Sequence, residues 1–258
     1  LVTLNKGLEL SKGDYIYFPS ADDRICQNLF EEAYLMFKKY PQSGIFSALG
    51  YQMNKEGKYL NLISSPLISN SNIYLNPENA KKYLSKFGFW IVGQTMIFKK
   101  KCFTDFNIKF NPELKHYSDI FVPLVITLKY GACFTPKTLA SWRYYSGYAE
   151  QNFADESNDL KLFNKFKDLC FSEKYRKLIP SFFFSQLLNQ KKIYYLNRKF
   201  YQNNNNIFMN IFIVKFIVKF FISIYFFRFN LLKTFTILWS KRRFSKHSII
   251  KDIQLKRN

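Results

Sequence analysis

The first 150 residues alternate short unbroken apolar runs with stretches in which apolar residues recur at helical spacing. The runs at 14–18, 43–51 and 95–100 are bounded by Gly, Pro or polar residues, which is typical of buried strands. "ACFTP" (132–136) and "LASWRYY" (139–145) predict two further short strands. Because the strands alternate with helical stretches, the pattern predicts an α/β domain built in layers.

Three helices are predicted between these strands. Residues 28–40 have apolar side chains at helical spacing and stop before a proline. Residues 76–87 begin with Asn76 as the N-cap and Pro77 at the first helical position. Residues 118–131 end in a glycine and contain a proline in the first turns.

The pattern changes near residue 155. Beyond it the sequence has helical spacing with few turn signals, and four asparagines at 203–206 predict a hinge or a helix break. We therefore divide the chain into an α/β region at 1–150, a helical extension at 151–206 and a basic aromatic segment at 207–258.

The composition is that of a folded and strongly basic protein. The 258 residues carry a formal net charge of +21, and 48% of them are hydrophobic, which excludes general disorder. The four cysteines lack the spacing of a zinc site and predict free thiols in a reducing compartment. The two histidines are too few for a His-rich metal site.

Two adjacent carboxylates, Asp22 and Asp23, follow the first predicted strand of this basic chain. Adjacent carboxylates are seldom part of a core, because an unpaired buried charge is costly. Loops at strand ends of α/β sheets often bind ligands, so one interpretation is a divalent cation held by the pair and bridging phosphates. The alternative is a solvated turn that caps the following helix.

The stretch "LNKGLELSKGDYIYFPSADDRICQNLF", at 4–30, resembles the central part of family 2 glycosyltransferases, the inverting enzymes of the GT-A fold. Asp22 and Asp23 fit the last two acids of the family's Asp-Ala-Asp-Asp, and Ser20 stands where the family has the first. The resemblance implies that Asp23 coordinates Mn²⁺ or Mg²⁺ on the donor diphosphate and that Asp22 contacts the ribose or the same metal. The other matching positions are Asn5, Gly7, Gly13, Asp14, Tyr15 and Ile16.

A second block, at 89–151, resembles the acceptor half of the same family. Ser118 replaces the first acid of the usual Glu-Asp pair, and Asp119 keeps the second. The resemblance implies that Asp119 is the general base, whereas by itself it could be a helix cap. Trp142 and Arg143 are expected to line the acceptor or diphosphate region, and His116 is expected at the surface. The matching positions are Phe110, Leu114, Asp119, Gly131, Pro136 and Arg143.

An inverting transfer needs a base for the acceptor hydroxyl and a cation for the departing nucleoside diphosphate. The resemblance therefore implies a metal-dependent inverting glycosyltransferase with a GT-A-like (Rossmann-like) mixed sheet and flanking helices. It implies transfer from a nucleotide-sugar donor to a lipid-linked or cell-surface glycan, as in bacterial polysaccharide biosynthesis. The family's N-terminal nucleotide-binding segment has no counterpart in 1–150, so we expect a partial domain. The alternative is a non-catalytic membrane-associated protein derived from such an enzyme.

Residues 190–258 carry fifteen Lys or Arg against a single carboxylate, Asp252. No nucleic-acid-binding signature is present, and 207–239 is dominated by Phe, Ile and Leu, which favours an anionic membrane surface as the partner. Lys215, Lys219 and Lys233 fall on one helical face, which predicts a helix in the membrane plane on its cytoplasmic side rather than a spanning helix. The alternative is an ordinary helix packed on the domain.

Overall fold

The computed structural model describes residues 1–63, 65–143 and 156–202. Residues 1–184 form one compact unit and 185–258 a second, of which residues 185–202 are described. The predicted membrane-binding segment at 207–258 therefore lies outside the described residues.

A seven-stranded mixed sheet forms the centre of the first unit. Five strands follow the spatial order β1-β6-β3-β7-β2, while β4 pairs with β3 and β5 pairs with β7. Within the described residues β3 and β7 run parallel, and the other paired strands are antiparallel. The predicted α/β class with a mixed sheet is confirmed. The strands are β1 (Tyr15–Tyr17), β2 (Arg24–Ile25), β3 (Ile45–Met53), β4 (Tyr59–Leu62), β5 (Ile73–Leu75), β6 (Ile97–Lys99) and β7 (Ala132–Arg143).

Seven α-helices and two 3₁₀ segments accompany the sheet in the described residues. The 3₁₀ segments are Gly93–Thr95 and Pro112–Tyr117. Within the described part of the chain, no helix combines the length and the apolarity needed to cross a bilayer. The helices are α1 (Val2–Leu10), α2 (Leu29–Lys39), α3 (Pro77–Phe87), α4 (Lys101–Asp105), α5 (Ser118–Tyr130), α6 (Glu156–Phe171) and α7 (Phe182–Gln202).

The central strand β3 is covered on both faces. Its first six residues, 45–50, are all buried, which explains their unbroken apolar run. On one face the apolar side of α2 packs against Phe46 and Ala48. On the other face the Trp90 ring contacts Phe134 edge-on, with 5.9 Å between ring centroids. The core of the first unit is therefore built around β3 and its parallel neighbour β7.

Local sequence signals set the ends of the two best-predicted helices. At the start of α3 the side chain of Asn76 accepts a hydrogen bond from the Asn79 backbone N–H at 2.8 Å, as an N-cap does. At the end of α5, Gly131 has φ of +77°, and a Cβ there would lie 2.4 Å from the carbonyl oxygen of Leu75. Glycine alone fits this close approach without strain. Both predicted helices are confirmed.

The prediction of two short strands at 132–136 and 139–145 is wrong. A single strand, β7, runs from Ala132 to Arg143 beside β3. Pro136, read as a strand end, falls where the register against β3 shifts, with Ala48 opposite Thr135 and Leu49 opposite Thr138. A proline cannot donate to the ladder, so the strand passes it as a bulge.

The first predicted strand is shorter and more exposed than the sequence indicates. β1 covers Tyr15–Tyr17 and pairs with β6 at one end of the five-strand order. Ile16 is buried, whereas Tyr15 is 40% exposed because it lies at this edge. Phe18, which follows β1, still packs against the buried rings of Phe98 and Phe110, whereas residues 19–22 are exposed.

Candidate functional site

The loop with Asp22 and Asp23 is held against the end of β7. β2 follows the loop directly and pairs with β7 through Arg24 opposite Ser141. The Arg143 backbone N–H donates to Oδ1 of Asp23 at 2.8 Å, next to this ladder. The structure thus joins residues that are 120 positions apart in the sequence.

Asp23 is the more enclosed of the two carboxylates. It is half-buried, whereas Asp22 is exposed. Burial raises the pKa of Asp23, hydrogen bonds from the Arg143 N–H and the Gln94 side chain oppose that shift, and the nearby charge of Asp22 adds to it. The protein therefore fixes the orientation of the Asp23 carboxyl but does not fully offset the free-energy cost of ionising it.

Gln94 reaches Asp23 because its 3₁₀ segment is fastened to β3. The Thr95 hydroxyl accepts from the Ala48 N–H at 2.9 Å, and the Ser47 hydroxyl accepts from the Val92 N–H at 3.1 Å. Sequence reasoning missed Gln94. The available signal was the polar Gly-Gln-Thr between two apolar runs, since buried polar groups need partners.

Tyr17 is a second residue of this site that sequence reasoning missed. Its hydroxyl donates to the Gln94 carbonyl at 3.0 Å. Burial raises the pKa of Tyr17, and the negative charge of Asp23 raises it further. The phenol therefore stays neutral at physiological pH and borders the Asp23 carboxyl.

Arg143, predicted to line the acceptor or diphosphate region, connects the aspartate loop to the β3–β4 turn. Its Nε donates to the Asp22 carbonyl at 2.8 Å. Its Nη1 donates to the carbonyls of Asn54, at 3.2 Å, and Lys55. The second amino group, Nη2, has no hydrogen-bond partner among the described residues. Arg143 thus fixes the aspartate loop and the β3–β4 turn together.

The same turn also touches Arg24. Gly57 has φ of +81°, and a Cβ at this position would lie 2.6 Å from Nη2 of Arg24. The turn at 54–58 therefore packs against the aspartate loop through two arginines, and glycine is required at its tip.

Trp142 is half-buried in β7. Successive side chains of a strand point to opposite faces, so Trp142 and Arg143 project to different sides of the sheet. The contribution of Trp142 to ligand binding stays a prediction.

Asp119 lies in the first turn of α5 and is exposed to solvent. Surrounding protein nevertheless desolvates its carboxyl and raises the pKa of Asp119, while the nearby His116 lowers it. An accessible carboxylate with a raised pKa can accept a proton from a bound hydroxyl.

His116 is not the surface residue that the sequence suggests. Its Nε2 lies 3.1 Å from Oδ1 of Asp159, which also accepts a hydrogen bond from the Tyr117 hydroxyl at 3.1 Å. The Asp159 side chain is only 5% exposed. Charged groups inside a protein need hydrogen-bond partners, and this buried carboxylate of α6 finds them in His116 and Tyr117, just before Asp119.

The predicted site residues fall into two groups. Asp22, Asp23 and Arg143 are in direct contact at the end of β7. Asp119 lies in the first turn of α5, which is followed at once by Gly131 and the start of β7. Within the described residues, no hydrogen bond or ion pair joins Asp119 to Asp23.

The donor set at the aspartate loop restricts the kind of metal it can hold. In residues 1–63, 65–143 and 156–202, no group of three or more His, Cys, Asp or Glu side chains is close enough to bind a metal. Asp22 and Asp23 supply carboxylate oxygens only. Mg²⁺ in phosphate-binding sites commonly has one or two carboxylates, with phosphates and water as its other ligands. Two carboxylates are therefore enough for a cation whose other ligands are phosphate and water, and too few for a metal centre made of protein ligands alone.

No protein-family model matches the chain, and none of the curated proteins compared with it is significantly similar. Among solved structures, it is similar to S. aureus TarS 1-349 in complex with UDP-GlcNAc, with a TM-score of 0.47, 12% identity, and coverage of 65% of this chain and 46% of that one. It is also similar to TarS 1-349 in complex with UDP, with a TM-score of 0.41, 14% identity, and coverage of 65% and 50%. The chain thus spans half or less of the length of these structures.

Proposed function

We propose that the chain is a glycosyltransferase that moves a sugar from a nucleotide-sugar donor to a hydroxyl of a lipid-linked or cell-surface glycan. One observation carries the proposal. The Asp23 carboxyl is held in a fixed orientation by the Arg143 N–H and the Gln94 side chain, beside a second carboxylate and at the end of a central strand. The resemblance of 4–30 and 89–151 to family 2 glycosyltransferases supports the same function.

Asp23 and Asp22 would hold Mn²⁺ or Mg²⁺. When bound with the donor, such a cation neutralises the charge that develops on the departing nucleoside diphosphate. Asp23 supplies a carboxylate whose ionised form burial disfavours, so a cation would lower its pKa and relieve that penalty. Nη2 of Arg143, which has no hydrogen-bond partner among the described residues, could contact a phosphate oxygen.

Asp119 is proposed as the general base. In an inverting transfer the acceptor oxygen bonds to the anomeric carbon as the bond from that carbon to the diphosphate oxygen breaks. Asp119 takes the proton of the acceptor hydroxyl during this attack. Its exposure allows an acceptor to reach it, and its raised pKa makes it a stronger base than an ordinary aspartate.

Nucleotide binding with and without Mn²⁺ tests the donor site. We expect Mn²⁺ to increase the affinity of the full chain for UDP or UDP-GlcNAc, the ligands of the two TarS complexes, by about tenfold or more in calorimetric titration. Asp23→Ala should abolish that gain. Asp105→Ala, which removes an exposed carboxylate of α4, is the control and should keep it. A Mn²⁺ effect that survives in Asp23→Ala would refute the assignment, and no binding at all would favour a non-catalytic protein.

We also propose that the protein is peripheral on the cytoplasmic face of a membrane, bound through residues 207–258. The support is the sequence pattern of that segment, with cations on one helical face and apolar residues around them. The full chain should sediment with anionic vesicles at low salt and be partly released at high salt. Sedimentation equal to that of a chain truncated after Tyr201 would contradict this proposal.

A further inference from the structure

The turn between α6 and α7 displays cations to solvent. Tyr175 and Ile179 of this turn are buried, with 7% and 3% exposure. The Tyr175 ring packs edge-on against Phe121 of α5 at 5.0 Å between centroids. Lys174, Arg176 and Lys177 project to solvent between and beside these two anchors.

Two further lysines come to the same surface from other elements. Lys81 of α3 donates to the Lys177 carbonyl at 3.4 Å. Lys129 of α5 and Lys174 both lie over the Phe106 ring, with their Nζ atoms 5.5 and 5.2 Å from its centroid. We call Lys81, Lys129, Lys174, Arg176 and Lys177 the basic cluster.

No carboxylate among the described residues neutralises the basic cluster. Within the described residues, none of its five members forms an ion pair. Asp105, which adjoins Phe106, and Glu173, which adjoins Lys174, are exposed and are in no such pair either, while Glu78 of α3 pairs with Lys82. Two ammonium groups on a single ring repel each other, so an anion bound there would lower the electrostatic energy.

Exposed phenylalanines flank the turn. Phe171, the last residue of α6, is 40% exposed, and Phe182, the first residue of α7, is 59% exposed. An inorganic phosphate or polyphosphate has no apolar part to contact such rings. A lipid surface offers phosphates to the cations and an apolar boundary to the rings, which is the chemistry of interfacial binding.

We infer that the basic cluster, with Phe171 and Phe182, is a contact surface for anionic phospholipid. The inference does not depend on sugar transfer, and it concerns described residues outside the 207–258 segment. Lys129 and Asp119 are ten residues apart on α5, which corresponds to about 15 Å along the helix. A membrane at the cluster would therefore leave the Asp119 end of α5 accessible.

A fluorescent label at position 182 tests the contact directly. In the full chain with Cys26→Ser, the other three cysteines are buried, so Phe182→Cys can be labelled selectively with an environment-sensitive dye. Vesicles of phosphatidylcholine with phosphatidylglycerol should shift its emission to the blue, and pure phosphatidylcholine should not. The control is the same label at Leu10→Cys, an α1 position that is 67% exposed, which should not respond.

Paired charge variants test the cluster itself. Lys174→Gln with Lys177→Gln should weaken partitioning into the anionic vesicles by about thirtyfold, because each cation near an anionic leaflet contributes about 1 kcal/mol. Lys55→Gln with Lys58→Gln removes two exposed lysines at the same spacing from the β3–β4 turn and should have little effect.

Three results would overturn the inference. The first is an unchanged label at 182 while the protein sediments with the vesicles, which would place the membrane contact elsewhere. The second is equal partitioning of the two double variants. The third is an emission shift caused by inorganic phosphate alone, which would indicate a phosphate site instead of a lipid contact.

Discussion

At the scale of single residues, the ionised carboxylate of Asp23 is held in place at a cost in folding free energy. Asp23 is held by two hydrogen-bond donors, yet burial still raises its pKa. A carboxylate kept solely for stability would be better placed in water or beside a cation. The arrangement is typical of a group whose charge is completed by a ligand.

Asp23→Asn should therefore not weaken the folded protein at neutral pH. Folding raises the pKa of Asp23 above its value in the unfolded chain. At a pH between the unfolded and the folded pKa, the folded state therefore binds more protons than the unfolded state. The free energy of unfolding consequently falls as the pH rises through this window, and wild type carries the penalty at neutral pH. We expect the melting temperature of the variant to equal or exceed that of wild type at neutral pH, with the difference vanishing below the window. A clearly lower melting temperature at neutral pH, measured by calorimetry, would contradict this.

Arg143 contributes through its shape as well as its charge. Arg143→Lys keeps the charge, but one ammonium group cannot reach the carbonyls of Asp22, Asn54 and Lys55 together. We expect a loss of about 1–3 kcal/mol in the free energy of unfolding and faster hydrogen exchange at the Gly57 amide. Arg24→Lys is the matched control, because the Arg24 side chain makes no hydrogen bond among the described residues. Equal effects of the two substitutions would show that the hydrogen bonds are unimportant.

At the scale of elements, α1 is joined to the segment that leads into Asp119. The Asn5 side chain donates to the Phe110 carbonyl at 2.7 Å and accepts from the Phe110 N–H at 2.9 Å. Asn5 and Phe110 belong to the two separate blocks that resemble glycosyltransferases. Their pairing gives a structural reason for an asparagine at this position.

Asn5→Ala should destabilise the first unit. The change leaves the Phe110 N–H and carbonyl without their partner, at a cost of about 1–3 kcal/mol. Chemical denaturation measures it, with Lys6→Ala on the exposed side of α1 as the control. A variant as stable as the control would mean that water replaces both hydrogen bonds.

The elements that the sequence predicted are those with local signals. α3 has its Asn76 cap and α5 its terminal glycine, and both need only neighbouring residues to be recognised. β2, β4 and β5 have two to four residues each, too few for a periodic pattern, and they exist because longer strands pair with them. β7 passes Pro136 as one strand because β3 lies beside it, which no local pattern records.

The same division applies to the candidate site. Asp22, Asp23 and Asp119 were singled out because carboxylates in a basic chain stand out and fit a known motif, and their roles stay predictions. Gln94, Tyr17 and the pairing of His116 with Asp159 depend on contacts between residues far apart in the sequence, so spacing alone could not reveal them.

At the scale of the whole molecule, the two carboxylate groups lie on elements connected through β7. The aspartate loop is fixed at the end of that strand, and Asp119 lies in the first turn of the helix that precedes it. Burial raises the pKa of Asp119. The rate of sugar transfer should therefore fall as the pH drops below the pKa of Asp119, because the protonated carboxyl cannot act as a base.

The most direct measurement is release of the nucleoside diphosphate from a panel of nucleotide sugars by the full chain with Mn²⁺. Wild type should turn over at least one donor, and Asp119→Asn should lower kcat by about 10²-fold or more with donor affinity nearly unchanged. Glu113→Gln, which removes an exposed carboxylate of the preceding 3₁₀ segment, should retain wild-type turnover. Turnover of Asp119→Asn equal to wild type would contradict the assignment of Asp119 as the base. No turnover of any donor by wild type would contradict the proposal that this chain transfers sugars.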